Sequence, residues 1–436
     1  GANGSNGVII ITTKRGKSGP AKVNFSTYTS INTIAKQYSL MNADEYAAFY
    51  TRIALDKNNL PDFAYSDKFR QYYYGEGWET GTNWQDEIIQ KSSAQNYHLN
   101  VSGGSENSNY SISAGYYKED GLLRSSGAER FNLRANSDFL IGKYIKLGET
   151  VGLTRFISTN PTSHEGDPWQ LSLITSPLMN VFNENNKGGY EGPQIEFDYS
   201  DADTTVADVK NTGGNDKGNP RGPLDLGDSK TYSHNISASM YVEIKPFKWL
   251  TFRSTPSFGF SMSRENTWMP EFDMGVRSLG QARLYSRFGE GNSFSWENQL
   301  TAVRSFGKHN FTLTGVNHRR NGTYNYLSVD GKGFNYEALN VISQSDPLQR
   351  TGEGGSSPWA MNSYLARLMY DYNSTLLFTT SIRRDGSSNF LPENRWGNFP
   401  SFSVGWKFKE LLLSSVDQVS SAKARFGWGK TGNSNI

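Results

Sequence analysis

Gln95-Asn96-Tyr97-His98-Leu99-Asn100-Val101-Ser102 and, after a short break, Asn109-Tyr110-Ser111-Ile112-Ser113-Ala114-Gly115-Tyr116-Tyr117-Lys118 decide the fold. In the first stretch Tyr97, Leu99 and Val101 point one way and Asn96, His98, Asn100 and Ser102 the other, because strand side chains alternate with period 2. The second sets Tyr110, Ile112, Ala114 and Tyr116 against Ser111, Ser113 and Gly115. The same pattern recurs at 22–31, 130–140, 144–156, 232–245, 250–264, 293–304 and 310–318, and again at 364–372, 376–384, 399–408 and 423–428. The chain therefore reads as all-β with about a dozen strands, many near the ~9–11 residues that a tilted strand needs to cross a bilayer.

The polar face separates the candidate architectures. It carries Arg130, Arg134, Arg253, Arg367 and Arg383 among Ser, Asn and Gly. Connections alternate between short turns (103–108, 142–143, 246–248) and long loops (157–231, 319–363, 385–398). Apolar-out, polar-in strands with short turns on one side and long loops on the other describe a transmembrane antiparallel β-barrel. Aromatic residues near strand ends (Tyr116, Tyr117, Tyr144, Trp249, Tyr370, Tyr372) suit interface girdles. Outside the strands, Asn42 and Glu45 form a capping box ahead of Tyr46, Phe49, Tyr50 and Ile53, which predicts one helix packed within the first loop.

Composition agrees. Of 436 residues only 36% are hydrophobic, yet 14% are aromatic, so the chain folds without a conventional apolar core. Net charge is +2, which argues against nucleic acid as a partner. The absence of cysteine excludes disulfides, thiolate metal sites and a Cys nucleophile. Both ends fall in Gly/Asn turns (Gly1-Ala2-Asn3-Gly4 and Thr431-Gly432-Asn433), which reads as a segment of a longer chain.

At several points the residues match a known family. Gly4-Ser5-Asn6-Gly7-Val8-Ile9-Ile10-Ile11-Thr12-Thr13-Lys14-Arg15-Gly16 resembles the end of the plug domain in SusC/RagA-type TonB-linked outer-membrane proteins. Thr82-Asn83-Trp84-Gln85-Asp86-Glu87-Ile88, leading to the 95–104 strand with Gly104, is similar to the family's early barrel. Arg383-Arg384-Asp385-Gly386-Ser387-Ser388-Asn389-Phe390, then Asn394-Arg395-Trp396-Gly397, resembles its mid-barrel block, and Arg425–Asn433 a later glycine/aromatic strand and turn. Gly7, Asp86, Gly104, Arg384, Asp385, Gly386, Arg395, Trp396 and Gly397 carry the resemblance as structural motif residues.

The resemblance implies residues 1–20 as the C-terminal end of a plug and 21–436 as the first part of a barrel of roughly 22 strands. It implies TonB-dependent import of an oligosaccharide or oligopeptide across the outer membrane of a Gram-negative cell. A SusD-like surface lipoprotein would cap the barrel, and TonB would act through a segment absent from this sequence. No bond is made or broken in the cargo, so the chain is not expected to be an enzyme. Two other classes remain at this stage: a soluble aromatic-rich carbohydrate-binding or glycosidase-like protein, and a passive porin or adhesin barrel, in which the 4–17 block has no role.

Other chemistry is thin. Gly429-Lys430-Thr431 lacks the upstream glycine of a phosphate loop, because Ala424 stands there. Gly352-Glu353-Gly354-Gly355 reads as loop. Five histidines have no metal-ligand spacing, and no resident cofactor is expected. Asp198, Asp201 and Asp203 are a weak Ca²⁺ candidate, lacking the glycine and distal glutamate of an EF-hand loop. Binding is better supported, since Trp169, Phe182, Tyr190 and Tyr199 sit in the 157–231 loop among Asn, Gly and Asp. Flat aromatic faces with amide and carboxylate partners suit a sugar, although the same rings equally pack a loop against its neighbours.

Overall fold

The computed structural model describes residues 15–56, 80–164, 166–193, 217–412 and 418–433. The strands are β1 (Gly19–Asn32), β2 (Ser92–Gly104), β3 (Ser108–Asp120), β4 (Gly127–Ile141), β5 (Ile145–Thr159), β6 (Asp228–Phe247) and β7 (Leu250–Met269). They continue with β8 (Arg283–Phe306), β9 (His309–Lys332), β10 (Arg350–Tyr372), β11 (Leu376–Ser387), β12 (Trp396–Lys407) and β13 (Lys423–Gly429). All form one 13-stranded sheet in sequence order, with every neighbouring pair antiparallel. Among the described residues five α-helices lie outside it: α1 (Ala43–Asp56), α2 (Trp84–Ile88), α3 (Pro168–Ile174), α4 (Arg221–Leu226) and α5 (Lys409–Leu412).

The ladder registers place the alternation on two faces. Phe25 opposes Leu99, Leu99 opposes Ala114, and Ala114 opposes Leu133, which in turn opposes Leu153. Phe25, Leu99, Leu133 and Leu153 stay exposed, as do Ile112, Phe131, Ile236, Phe258, Leu313 and Ile382 on the same face. So continuous an apolar face is untenable in water and matches a hydrocarbon environment. The opposite face pairs Asn24 with Asn100, Asn100 with Ser113 and Ser113 with Arg134. Arg130, Arg253, Arg367 and Arg383 share this lumenal face. Tyr117 also does, hydrogen-bonded to Glu119 with the Arg130 guanidinium over its ring at 5.6 Å, so it is not a girdle residue.

Five connections at one end are tight, 105–107, 142–144, 248–249, 307–308 and 373–375, while 408–422 at the same end is longer. Gly142 takes a positive φ of 61° in the second of these, a backbone state that glycine adopts without Cβ strain. Here Trp249 stacks on Phe247 at 5.6 Å and Tyr370 packs on Phe311 at 5.0 Å, forming an aromatic rim. The other end holds the long loops.

Three loop boundaries differ from the sequence reading. The first long loop spans 160–227, not 157–231. Residues 319–332 and 350–363 are strand, leaving a loop of 333–349, and the Gly352–Gly355 run is ladder, with Gly354 opposite Leu327. The third runs only from 388 to 395, since β11 reaches Ser387 and β12 starts at Trp396. Strands β8 to β10 are 23 or 24 residues long, about twice a membrane crossing. Above the bilayer the outer face need not be apolar, so alternation stops while backbone pairing continues.

Candidate functional site

Two regions collect functional side chains: the polar face of the sheet and the loop cluster above it. The segment preceding β1 lies against the polar face. Arg15 Nη1 donates to Asp138 Oδ1 at 2.5 Å, and the Tyr241 hydroxyl donates to the same oxygen at 2.7 Å. Lys146 Nζ is 3.4 Å from the other carboxylate oxygen, and the Arg253 guanidinium covers the Tyr241 ring at 3.8 Å. Gly148 makes this packing feasible, because a Cβ there would come within 2.2 Å of the Tyr241 ring. Between this segment and the wall lies a polar cavity of about 720 Å³ lined by Arg15, Lys17, Lys22, His98, Asn100 and Arg134.

Farther round the same face, Arg383 Nε donates to both oxygens of buried Asp385, at 2.7 and 3.0 Å, and Arg383 Nη2 to Ser363 Oγ at 3.0 Å. His318 Nε2 meets Ser295 Oγ at 2.7 Å, and Arg320 lies half-buried beside them. Of the mid-barrel motif, Arg384 turns to the opposite, outer face, with its guanidinium 5.1 Å above the Trp396 ring. Gly386 gives Trp396 room, since a Cβ would meet the indole at 2.9 Å. Arg395 accepts the Ser387 amide at its carbonyl, at 3.1 Å, which closes the β11–β12 turn, and Gly397 opposes Asp385.

The loops form a cap with cores of their own. Helix α1 is closed by the reciprocal capping box, Glu45 N–H to Asn42 Oδ1 at 2.8 Å and Asn42 N–H to Glu45 Oε2 at 3.1 Å. Its Ala43, Tyr46 and Ala47 pack on Leu178. Asn83 caps α2 and donates to Asp86 Oδ2 at 2.6 Å, while Gln37 holds the other Asp86 oxygen at 2.8 Å. Trp84, buried, donates to the Ser176 carbonyl at 2.9 Å. Gln85 pairs with both backbone groups of Tyr38. Gly104 ends β2, where a Cβ would strike the Ser108 carbonyl.

The nominated aromatics divide. Phe182 and Tyr190 meet, with ring centroids 5.3 Å apart. Tyr190 is buried among Met269, Phe272 and Met274, and its hydroxyl donates to Asp225 Oδ2 at 2.8 Å. Burial, then this hydrogen bond, push its phenol up to about 12. Phe182 stays exposed beneath the Arg221 guanidinium at 5.5 Å. Trp169 lies apart, near Tyr38 at 6.4 Å. Tyr199, Asp198, Asp201, Asp203 and Gly7 lie outside the described residues.

Arg221 was not legible as a site residue in the sequence. It pairs with Glu87 at 2.5 Å and Asp225 at 2.8 Å, tying α4 to α2 across 134 positions. Asp138 was likewise missed, being a single acid on an alternating strand. A second cavity, of about 600 Å³, opens where Ser163 and His164 face the ends of β7, β8 and β9, lined by Thr267, Met269, Gln281, Arg283, Tyr285 and Lys332. Trp169, Phe182 and Tyr190 do not line it.

No family model matches the sequence. Over its whole length the chain is 30% identical to TonB-dependent receptor P3 of Formosa agariphila and spans 41% of that protein. It is 27% identical to TonB-dependent receptor SusC of Bacteroides thetaiotaomicron, spanning 42% of it. Among solved structures, the RagAB peptide transporter superposes with a TM-score of 0.79 at 20% identity, over 100% of this chain and 50% of that one. The RagAB peptide importer in its "closed-closed" state gives 0.77 at 19% identity, over 99% and 49%. The chain thus spans about two fifths of the curated relatives that it matches.

Proposed function

We infer that this chain, which belongs to the SusC/RagA-type TonB-dependent receptors of the outer membrane, forms part of the wall through which an oligosaccharide or oligopeptide is imported. The observation that carries this reading is the attachment of the segment before β1 to the polar face through Arg15, Asp138 and Tyr241. A strap bonded to the lumenal face narrows the channel, as expected of a plugged barrel rather than an open one. The relatives named for TonB-dependent uptake and the RagAB peptide transporter support the same reading.

The chain's own residues then have definite tasks. Asn, Ser and Arg side chains on the polar face keep the lumen wet and offer hydrogen bonds to a hydroxylated or amide cargo. The latch at Asp138 holds the end of the plug to the wall, so that force applied through TonB works on the plug segments ahead of it. The 600 Å³ cavity at the loop end, with Tyr285, Gln281 and Lys332, suits first contact with a sugar or peptide. Loop 333–349 exposes Tyr336, Leu339, Val341 and Leu348 above the membrane, a surface fitted to a lipoprotein lid of the SusD kind.

The test uses cells producing the full-length receptor. Uptake of fluorophore-labelled polysaccharide hydrolysate and of labelled peptide digest is measured with TonB intact and with TonB deleted. One pool enters only when TonB is present; uptake unchanged by the deletion overturns the reading.

A further inference from the structure

The outer face of the sheet is apolar along most of its height, yet at its loop end it carries arginines. Arg319 and Arg384 are both exposed there, and neither forms an ion pair among the described residues. Arg384 lies eight residues beyond Leu376, the start of β11. At ~3.3 Å per residue and a tilt of ~40°, that is about 20 Å from the aromatic rim, near the outer edge of the ~25 Å apolar band. Arg319, ten residues beyond His309, lies at the level of Gly386, about 25 Å from the rim, at the edge of the band.

Below Arg384 the wall is not flat. A groove of about 610 Å³ runs along the outer face between Phe252 and Leu300 on one side and Ile382 and Tyr364 on the other. Its floor is made of Gly315 and Ala366, which oppose each other in register. A Cβ at Gly315 would meet nothing within 4 Å, so the space above it is open. At the top, Tyr364 stacks on Trp396 with centroids 6.2 Å apart, and Asn317 donates to Asn362, which donates to the Tyr364 hydroxyl, each at 3.2 Å. Rings and amides thus hold the Arg384 end of the groove in a fixed shape.

We propose that this groove binds a phosphate-bearing lipid of the outer leaflet, with an acyl chain over Gly315 and Ala366 and the phosphate on Arg384 and Arg319. The inference rests on the outer-membrane placement and goes beyond the import reading. At the hydrocarbon edge a guanidinium reaches the headgroup layer at little cost; Arg384 is held there over the Trp396 ring, and a lipid phosphate takes Arg through paired charge-assisted hydrogen bonds. The apolar trough beneath it has the shape of a hydrocarbon chain, so headgroup and tail chemistry coincide in one site. A soluble anion would use the arginines and leave the trough unexplained.

The full-length receptor is reconstituted into phosphatidylcholine nanodiscs with and without lipid A, and retained lipid A is counted by native mass spectrometry. The unaltered receptor retains lipid A and melts at a higher temperature in its presence. Arg319→Gln with Arg384→Gln reduces retention by about tenfold or more, as expected on losing two charge-assisted contacts. Ala366→Phe, which fills the trough and leaves both charges, reduces it as well. Lys248→Gln with Lys308→Gln, on the tight-turn rim, removes the same charge and leaves retention unchanged. Equal retention by the arginine pair variant and the unaltered receptor overturns the proposal, as does equal loss in the lysine pair. TonB-dependent uptake by the same variants is scored separately, so failure of lipid binding and failure of the import reading are distinct results.

Discussion

Arg15 Nη1 and Asp138 Oδ1 are 2.5 Å apart, joining two residues separated by 123 positions. The Asp138 side chain is only 7% exposed, and three cations, Arg15, Lys146 and Arg253, gather on it and on the Tyr241 ring. Asp138→Asn keeps the shape and removes the counter-charge. Because Arg15 is 36% exposed, the loss belongs at the low end of the range for a charge-assisted hydrogen bond, about 1–2 kcal/mol. Hydrogen exchange in the full-length receptor reads it: amides at 16–18 exchange roughly tenfold faster, while those of β4 are unchanged. Identical protection in both proteins removes Asp138 as the anchor.

Gly148→Ala tests the same latch without touching charge. The added Cβ would lie 2.2 Å from the Tyr241 ring and 2.5 Å from Asp138 Oδ1, so one of them must move. Overpacking of this kind costs about 1–3 kcal/mol. The expected result is faster exchange at 16–18, as for Asp138→Asn, and the two variants combined should be less than additive, since they break one contact.

Strand existence was legible because lipid on one side and water on the other impose period 2, as at Tyr97, Leu99 and Val101. The capping box at Asn42 and Glu45 was legible because both partners lie within four residues. What escaped the sequence is what lies beyond the bilayer. Residues 319–332 and 350–363 pair as strand, yet their outer face need not be apolar, and Gly354-Gly355 imitates a loop. The site residues Asp138 and Arg221 were hidden for a different reason: their partners are 123 and 134 positions away, and only the register brings them together.

The loop cap hangs on Trp84. Its ring is 2% exposed and its indole N–H reaches the Ser176 carbonyl at 2.9 Å, so Trp84→Ala loses both packing and a hydrogen bond. Replacement of a buried Trp by Ala costs about 3–5 kcal/mol, carried by the cap and not by the sheet. Trypsin cleavage after Lys187 should rise by roughly 10²–10³-fold or more in the full-length receptor, while heat-dependent gel mobility of the barrel stays as it was. A loss of heat-stable mobility instead would mean that the cap supports the barrel.

Asp385 is a buried carboxylate held by Arg383 on two oxygens, with its side chain 1% exposed. Removing one partner of such a pair strands the other, at about 3–5 kcal/mol, whereas replacing both by apolar groups is close to neutral. Asp385→Asn should therefore lower the temperature of the barrel's gel-mobility transition more than Arg383→Met with Asp385→Leu does. The reverse order would show that the pair is dispensable and that Asp385 acts through its other contacts.

Tyr190 gives the cap a dependence on alkaline pH. Its phenol is raised from 10.0 to about 12, by burial first and by Asp225 second. The folded cap keeps a proton that the unfolded chain releases near pH 10. The stabilisation is therefore complete below pH 10 and disappears as pH rises from 10 to 12. Tyr190→Phe removes the titrating group and leaves Arg221 Nε on Asp225 at 2.8 Å. Melting of the full-length receptor, followed by tryptophan fluorescence with Trp84 and Trp169 reporting on the cap, is compared between pH 8 and pH 12. The difference between the unaltered protein and Tyr190→Phe is largest at pH 8 and shrinks toward pH 12; a difference independent of pH would show that the ring, and not the hydroxyl, carries the contribution of Tyr190.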